Sequence, residues 1–277
     1  MKTSIHEAFD LGQSIWLDYI SRDLIASGGL KSWIDKGVVG VTTNPSIFEN
    51  AIAKTQDYDS EIASLSKEGK TSAEIYEILT LQEVGAAADI LRPVYDSTNG
   101  KDGYVSLEVN PLIASDKDTT ISEAKRLFAL LNRPNVMIKI PATPEGIQAL
   151  TECIASGVNV NSTLIFSQEQ YINVAKAYIA GAKRAGKQVA SVASVFVSRV
   201  DSAVDKLLAE KNNSDLQGCI AVDGIKLMYQ EFKKLFAGEK FIQRALWAST
   251  GTKNKAYSDV KYVEDIIGAD TDRKSVV

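Results

Sequence analysis

The sequence predicts a TIM-type (β/α)8 barrel of the α/β class, and three observations carry that reading. The length of 277 residues is close to the roughly 250 typical of such barrels. Apolar, β-branched runs alternate with amphipathic stretches from one end of the chain to the other, the pattern of repeated βα units around a parallel sheet. The runs end in polar residues that can do chemistry, as expected where the carboxyl ends of barrel strands share one mouth. No linker rich in Pro, Gly or Ser breaks the pattern, so one domain is expected over 1–277, with a helical insert at about 46–100.

Seven strands are expected, at 14–20, 38–44, 104–110, 136–140, 158–165, 189–195 and 244–249. The side-chain period of two separates their faces. In the first, Ile15 and Leu17 oppose Trp16 and Asp18. The second closes in Thr42-Thr-Asn-Pro45, a turn whose proline opens the next helix at its first position. Helical spacing in Ser60-Glu-Ile-Ala-Ser-Leu65 and Ser72-Ala-Glu-Ile-Tyr-Glu-Ile-Leu79 places several helices in the insert. In the third strand Val105, Leu107 and Val109 face one way, while Ser106, Glu108 and Asn110 face the other. In the fourth Val136, Ile138 and Ile140 form the apolar face, leaving Met137 and Lys139 opposite. Helices at 119–131, 144–155, 167–184, 198–209 and 216–236 return the chain between the later strands. The inward polar residues all fall late: Asp18, Asn44, Glu108, Lys139, Asn161 with Thr163, Ser194 and Ser249.

Composition narrows the function classes. Hydrophobic residues at 45% and charged residues at 24% match an ordinary globular chain with a large core. A net charge of -4 without a dense Lys/Arg cluster argues against a nucleic-acid surface, so anionic substrates need local cations. Only Cys153 and Cys219 are present; both are expected to be buried structural thiols in a reducing, cytoplasmic compartment. The single histidine, His6, has no Cys or His companion nearby, so no metal site is expected. No apolar run reaches membrane-spanning length, so no membrane partner is expected either.

Lys139 carries the chemistry. A lysine with its stem buried and its amine near a carboxylate can lose its proton at neutral pH and attack a carbonyl to form a Schiff base; the competing reading is a snorkelling lysine at a strand edge. Glu108 fits two roles equally, a structural ion-pair partner or a shuttle of protons through carbinolamine and imine. Asp18 either caps the helix that begins near Ser21 or acts as a general base for carbon–carbon cleavage. Asn44 presents an amide to substrate hydroxyls. Arg199, at a helix start past the sixth strand, suits an anion site, against a plain surface salt bridge. Ser249-Thr-Gly-Thr-Lys253 suits a phosphate held by backbone, hydroxyls and a cation near the late loops of a barrel.

Together Gly40-Val-Thr-Thr-Asn-Pro-Ser-Ile-Phe48, Val105-Ser-Leu-Glu-Val-Asn-Pro111, Met137-Ile-Lys-Ile-Pro-Ala-Thr-Pro-Glu-Gly146 and Val158-Asn-Val-Asn-Ser-Thr-Leu-Ile-Phe166 closely resemble the transaldolase family, in its cyanobacterial and plant style. With Trp16-Leu-Asp18 and Leu246-Trp-Ala-Ser-Thr250 the resemblance covers nearly the whole chain. It implies a class I transfer of a dihydroxyacetone unit between sugar phosphates in the pentose phosphate pathway, with neither metal nor organic cofactor. A fructose 6-phosphate aldolase on the same fold is the alternative. By motif, Lys139 is the Schiff-base nucleophile and Asp18 the base that accepts the substrate hydroxyl proton. Glu108 with Thr163 positions the catalytic water. Asn44, Asn161 and Ser194 bind substrate hydroxyls or the intermediate, Arg199 binds phosphate, and Ser249 and Lys253 occupy the second phosphate segment, where the family often carries arginine.

The resemblance departs at the end of the chain. After Val260-Lys-Tyr-Val-Glu-Asp-Ile-Ile-Gly268 the family continues with an eighth strand and terminal helices, whereas this sequence runs out at Asp270-Thr-Asp-Arg-Lys-Ser-Val-Val277. An eighth strand that is short or missing is therefore expected. An open barrel would expose two strand edges, which invites association. A compact natural form, a shortened chain, a homo-oligomer that covers the gap and a non-catalytic sugar-phosphate-binding protein are the alternatives.

Overall fold

The structure, a computed structural model, describes residues 2–268 and 271–275. In chain order the elements are α1 (Ser4–Asp10), β1 (Gln13–Leu17), α2 (Arg22–Ala26), α3 (Gly29–Asp35), β2 (Gly40–Thr42), α4 (Pro45–Ala53), α5 (Asp59–Lys67), α6 (Ser72–Ser97), β3 (Tyr104–Glu108), α7 (Lys117–Leu131), β4 (Val136–Pro141), α8 (Pro144–Ala155), β5 (Val160–Ile165), α9 (Gln168–Ala185), β6 (Ser191–Phe196), α10 (Ser198–Glu210), α11 (Ile220–Leu235), β7 (Arg244–Ala248), α12 (Lys261–Glu264) and β8 (Thr271–Ser275). All strand pairs are parallel, and the sheet closes in the order β1 to β8.

The eighth strand is present and short. It pairs with β1 from Gln13↔Thr271 to Leu17↔Ser275 and with β7 from Ala245↔Thr271 to Trp247↔Arg273. Closure removes the open edges, and with them the ground for an association that would cover them.

Strand alternation sorts the core into two. Outward residues such as Val105, Val136, Ile138 and Ile140 pack with Leu127 and Leu131 of α7, Leu150 and Ile154 of α8 and Tyr171 and Tyr178 of α9. Inward residues Trp16, Tyr104, Met137, Val192 and Leu246 fill the lower lumen. Trp16 explains Gly40 on the neighbouring strand: a Cβ there would lie 2.4 Å from the indole, closer than van der Waals radii allow.

Below these side chains Arg244 pairs with Asp102 at 3.0 Å and with Asp272 at 2.8 Å, and the Trp16 indole N–H donates to Asp272 Oδ1 at 3.1 Å. This cluster ties β8 to β1, β7 and the turn before β3. Polar residues cap the returning helices: Asn44 caps α4, Asp116 α7, Thr143 α8 and Ser167 α9, each accepting from a first-turn backbone N–H. Cys153 is buried, and burial pushes its thiol up to about 12; Cys219, expected to be buried too, is only half-buried because it stands at the amino-terminal edge of α11. His6 serves its own helix in a capping box with Thr3.

Candidate active site

The carboxyl ends of the strands surround a cavity of about 530 Å³ lined by Asp18, Asn44, Glu108, Lys139, Thr163, Arg199, Ser249 and Lys253, among others. Residues far apart in sequence thus meet because each stands at or just past the end of a strand, or, for Arg199, in the first turn of the helix that follows.

Lys139 is 4% exposed and is no edge residue: β4 lies between β3 and β5. Its Nζ donates to Glu108 Oε2 at 2.9 Å and to the Thr43 carbonyl at 2.8 Å. The register aligns Glu108, Lys139 and Asn161 on adjacent strands, so their side chains enter the lumen side by side. Asp18 accepts from the Thr42 hydroxyl at 3.0 Å. The cap of α2 is Ser21. Asn44 divides its amide: Oδ1 caps α4 through the Ile47 N–H at 3.0 Å, which leaves the nitrogen to meet a ligand.

On the opposite wall, Arg199 lies over the Phe196 ring, 5.2 Å from its centroid. The amino terminus of α10 carries no side-chain cap, so its backbone amides add to the positive potential around Arg199. Ser249, at φ 56°, turns the chain out of β7, and its carbonyl accepts the Ser198 N–H at 3.0 Å. That bond ties the start of α10 to the segment that leaves β7.

Asn161 and Ser194 are brought into the lumen but not onto the cavity wall. Ser194 Oγ donates to Asn161 Oδ1 at 2.7 Å, and Asn161 Nδ2 donates to Ser106 Oγ at 3.1 Å. All three are at most 2% exposed and form a buried polar layer beneath the mouth. Sequence reasoning identified their face and not their depth, which depends on strand stagger. It also missed Ser46, Leu164 and Phe196 as lining residues and the Thr43 carbonyl as a lysine partner. Strand-end position could have flagged Phe196; a backbone carbonyl leaves no signal in a sequence.

Residues 15–271 match the family model described as transaldolase/fructose-6-phosphate aldolase. A transaldolase of Trichodesmium erythraeum is 48% identical over 292 aligned residues, which cover 96% of this chain and 77% of the relative. Transaldolase 1 of Streptomyces avermitilis is 50% identical, with 95% and 74% covered, and transaldolase 2 of Nostoc punctiforme is 44% identical, with 94% and 76% covered. Streptomyces relatives thus stand beside the cyanobacterial ones that the motifs suggest. A barrel mouth holding an enclosed lysine–carboxylate pair, and identities of this size over nearly the whole chain, lead to one assignment: the chain belongs to the transaldolase family.

Proposed function

We propose that this chain transfers a dihydroxyacetone unit from a ketose phosphate to an aldose phosphate through an imine on Lys139, as in the conversion of sedoheptulose 7-phosphate and glyceraldehyde 3-phosphate to erythrose 4-phosphate and fructose 6-phosphate. The observation that carries the reading is the enclosed Lys139 Nζ, 2.9 Å from Glu108 Oε2 in a cavity that also holds Arg199 and Lys253. The neutral amine attacks the ketose carbonyl carbon, and loss of water from the carbinolamine gives the iminium. Glu108 and Thr163 handle the protons and the water of that step. Asp18 takes the proton of the hydroxyl on the far carbon of the scissile bond. As that hydroxyl becomes an aldehyde, the carbon–carbon electron pair moves into the iminium to give an enamine. The enamine then adds to the incoming aldose phosphate, and water returns across the C=N bond to free Lys139. Arg199, Ser249 and Lys253 hold the phosphate, with Asn44 on the hydroxyls. Asn161 and Ser194 support the reaction from below, by fixing the polar layer next to Lys139. Sparse cysteine use supports a cytoplasmic setting.

Borohydride with fructose 6-phosphate should add a three-carbon unit to Lys139, and an unlabelled but folded protein would refute the covalent route. Release of free dihydroxyacetone as fast without an aldose phosphate as with one would favour the aldolase reading. The non-catalytic alternative rested on an open barrel, and closure removes that ground.

A further inference from the structure

Five described non-glycine residues have positive φ, and three of them are asparagines, which tolerate the left-handed region. The other two, Leu164 at φ 61° and Ser249, both line the cavity. Leucine has no polar group with which to stabilise that conformation locally. It persists only where the surroundings impose it.

One side chain bonds to the backbone on both sides of Leu164. Gln170 Nε2 donates to the Leu164 carbonyl at 3.1 Å and to the Ala142 carbonyl at 2.7 Å, while Oε1 accepts the Phe166 N–H at 2.9 Å. The ladder between β5 and β6 breaks its register between Ser162 and Ile165, and on the other side Ala142 N–H donates to the Thr163 carbonyl at 2.7 Å. Gln170 therefore bridges the end of β4, the strand of Lys139, and the irregular end of β5, the strand of Thr163. Bulges of this kind re-aim side chains next to active sites. The base of Gln170 is itself fixed, because its backbone N–H donates to Ser167 Oγ at 3.1 Å in the first turn of α9.

The geometry points to Gln170 as a positioning residue for the transfer reaction. It holds Leu164 left-handed and so keeps Thr163 on the wall that Glu108 and Lys139 share, without touching substrate itself. The inference rests on the water-handling role proposed for Thr163. Its test keeps the two apart by measuring Thr163→Ala, Gln170→Ala, Gln170→Met and Leu164→Gly/Gln170→Met for folding, kcat, KM and the rate of borohydride-trapped adduct formation at Lys139. Gln170→Met keeps the side-chain volume and loses the three bonds, so it decides the matter where the alanine variant fails to fold.

A displacement of about 1 Å costs roughly a hundredfold in rate. The expected result is a folded Gln170→Met protein whose kcat and trapping rate fall about 10- to 100-fold, with KM within about threefold. Glycine at 164 removes the conformational cost and restores part of the loss. A purely structural role predicts activity that only tracks the folded fraction, with no recovery from glycine. Full kcat in Gln170→Met beside an impaired Thr163→Ala would overturn this inference alone. Full kcat in Thr163→Ala would overturn the reading beneath it.

Discussion

An ammonium group carries three N–H donors. At Lys139 two of them go to the Thr43 carbonyl and the Glu108 carboxylate, so the third faces away from both, and its loss leaves a lone pair able to attack a carbonyl. The pair stands almost out of water, with side-chain exposures of 5% and 11%, where an ion pair is retained only if its geometry and further hydrogen bonds compensate the lost solvation. Glu108→Gln keeps the shape and an acceptor for the amine while removing the proton carrier. Its kcat is expected to fall by about 10²- to 10⁴-fold, the usual worth of general acid–base catalysis, with adduct at Lys139 still trapped by borohydride, only more slowly. A steady-state assay giving kcat within threefold of the parent would show that Glu108 is only a structural partner.

At the scale of elements, α10 anchors the cavity wall that carries Arg199 and Lys253. Asp201 and Asp205, one helical turn apart, each bridge two segments. Asp201 accepts from Ala221 N–H at 2.8 Å and Tyr262 OH at 2.7 Å, and Asp205 from Gly218 N–H at 2.9 Å and Tyr257 OH at 2.6 Å. The approach to α11 and the segment after β7, which carries Lys253, are thereby pinned to the helix that presents Arg199. Burial, reinforced by its carboxylate partner, pushes the Tyr257 phenol up to about 12 and drives that of Tyr262 up as well, so both stay donors across the ordinary pH range. Tyr262→Phe leaves an oxygen of the buried Asp201 unpaired, which costs about 1–3 kcal/mol. The variant should lose that much stability in urea titration and show a several-fold higher KM for the ketose phosphate, with kcat nearly unchanged; an unaltered KM would mean that the latch does not organise phosphate binding. These ties are invisible in sequence, because an Asp on a helix pattern reads as a solvated face. Lys139 was legible for the opposite reason: β4 is an apolar run, Val-Met-Ile-Lys-Ile-Pro, so a charge inside it stands out. Gln170 was not, since its partners are backbone atoms at a register break.

Closure of the whole molecule depends on a strand without apolar alternation. Thr271-Asp-Arg-Lys-Ser275 gives hydropathy nothing to detect, because its buried inward residue is an acid whose partner, Arg244, comes from β7. Burial, with Asp102 adding and Arg244 opposing, raises the Asp272 carboxyl to about 7. Asp102 Oδ2 and Asp272 Oδ2 are both buried without a hydrogen-bond partner among the described residues. An unfolded aspartate titrates near 3.9. The folded barrel therefore holds a proton that the unfolded chain has already released, and the contribution of Asp272 is complete below about pH 4 and lost as pH rises through about 7. Asp272→Asn has no such titration. At up to about 1.4 kcal/mol per pH unit, the stability of the parent relative to Asp272→Asn should fall by about 2–3 kcal/mol between pH 5 and 8. Urea titrations of both proteins across that range measure it. A constant difference would mean that Asp272 is ionised throughout and that the barrel is sealed by a fixed Arg244–Asp272 ion pair, not by a protonated acid.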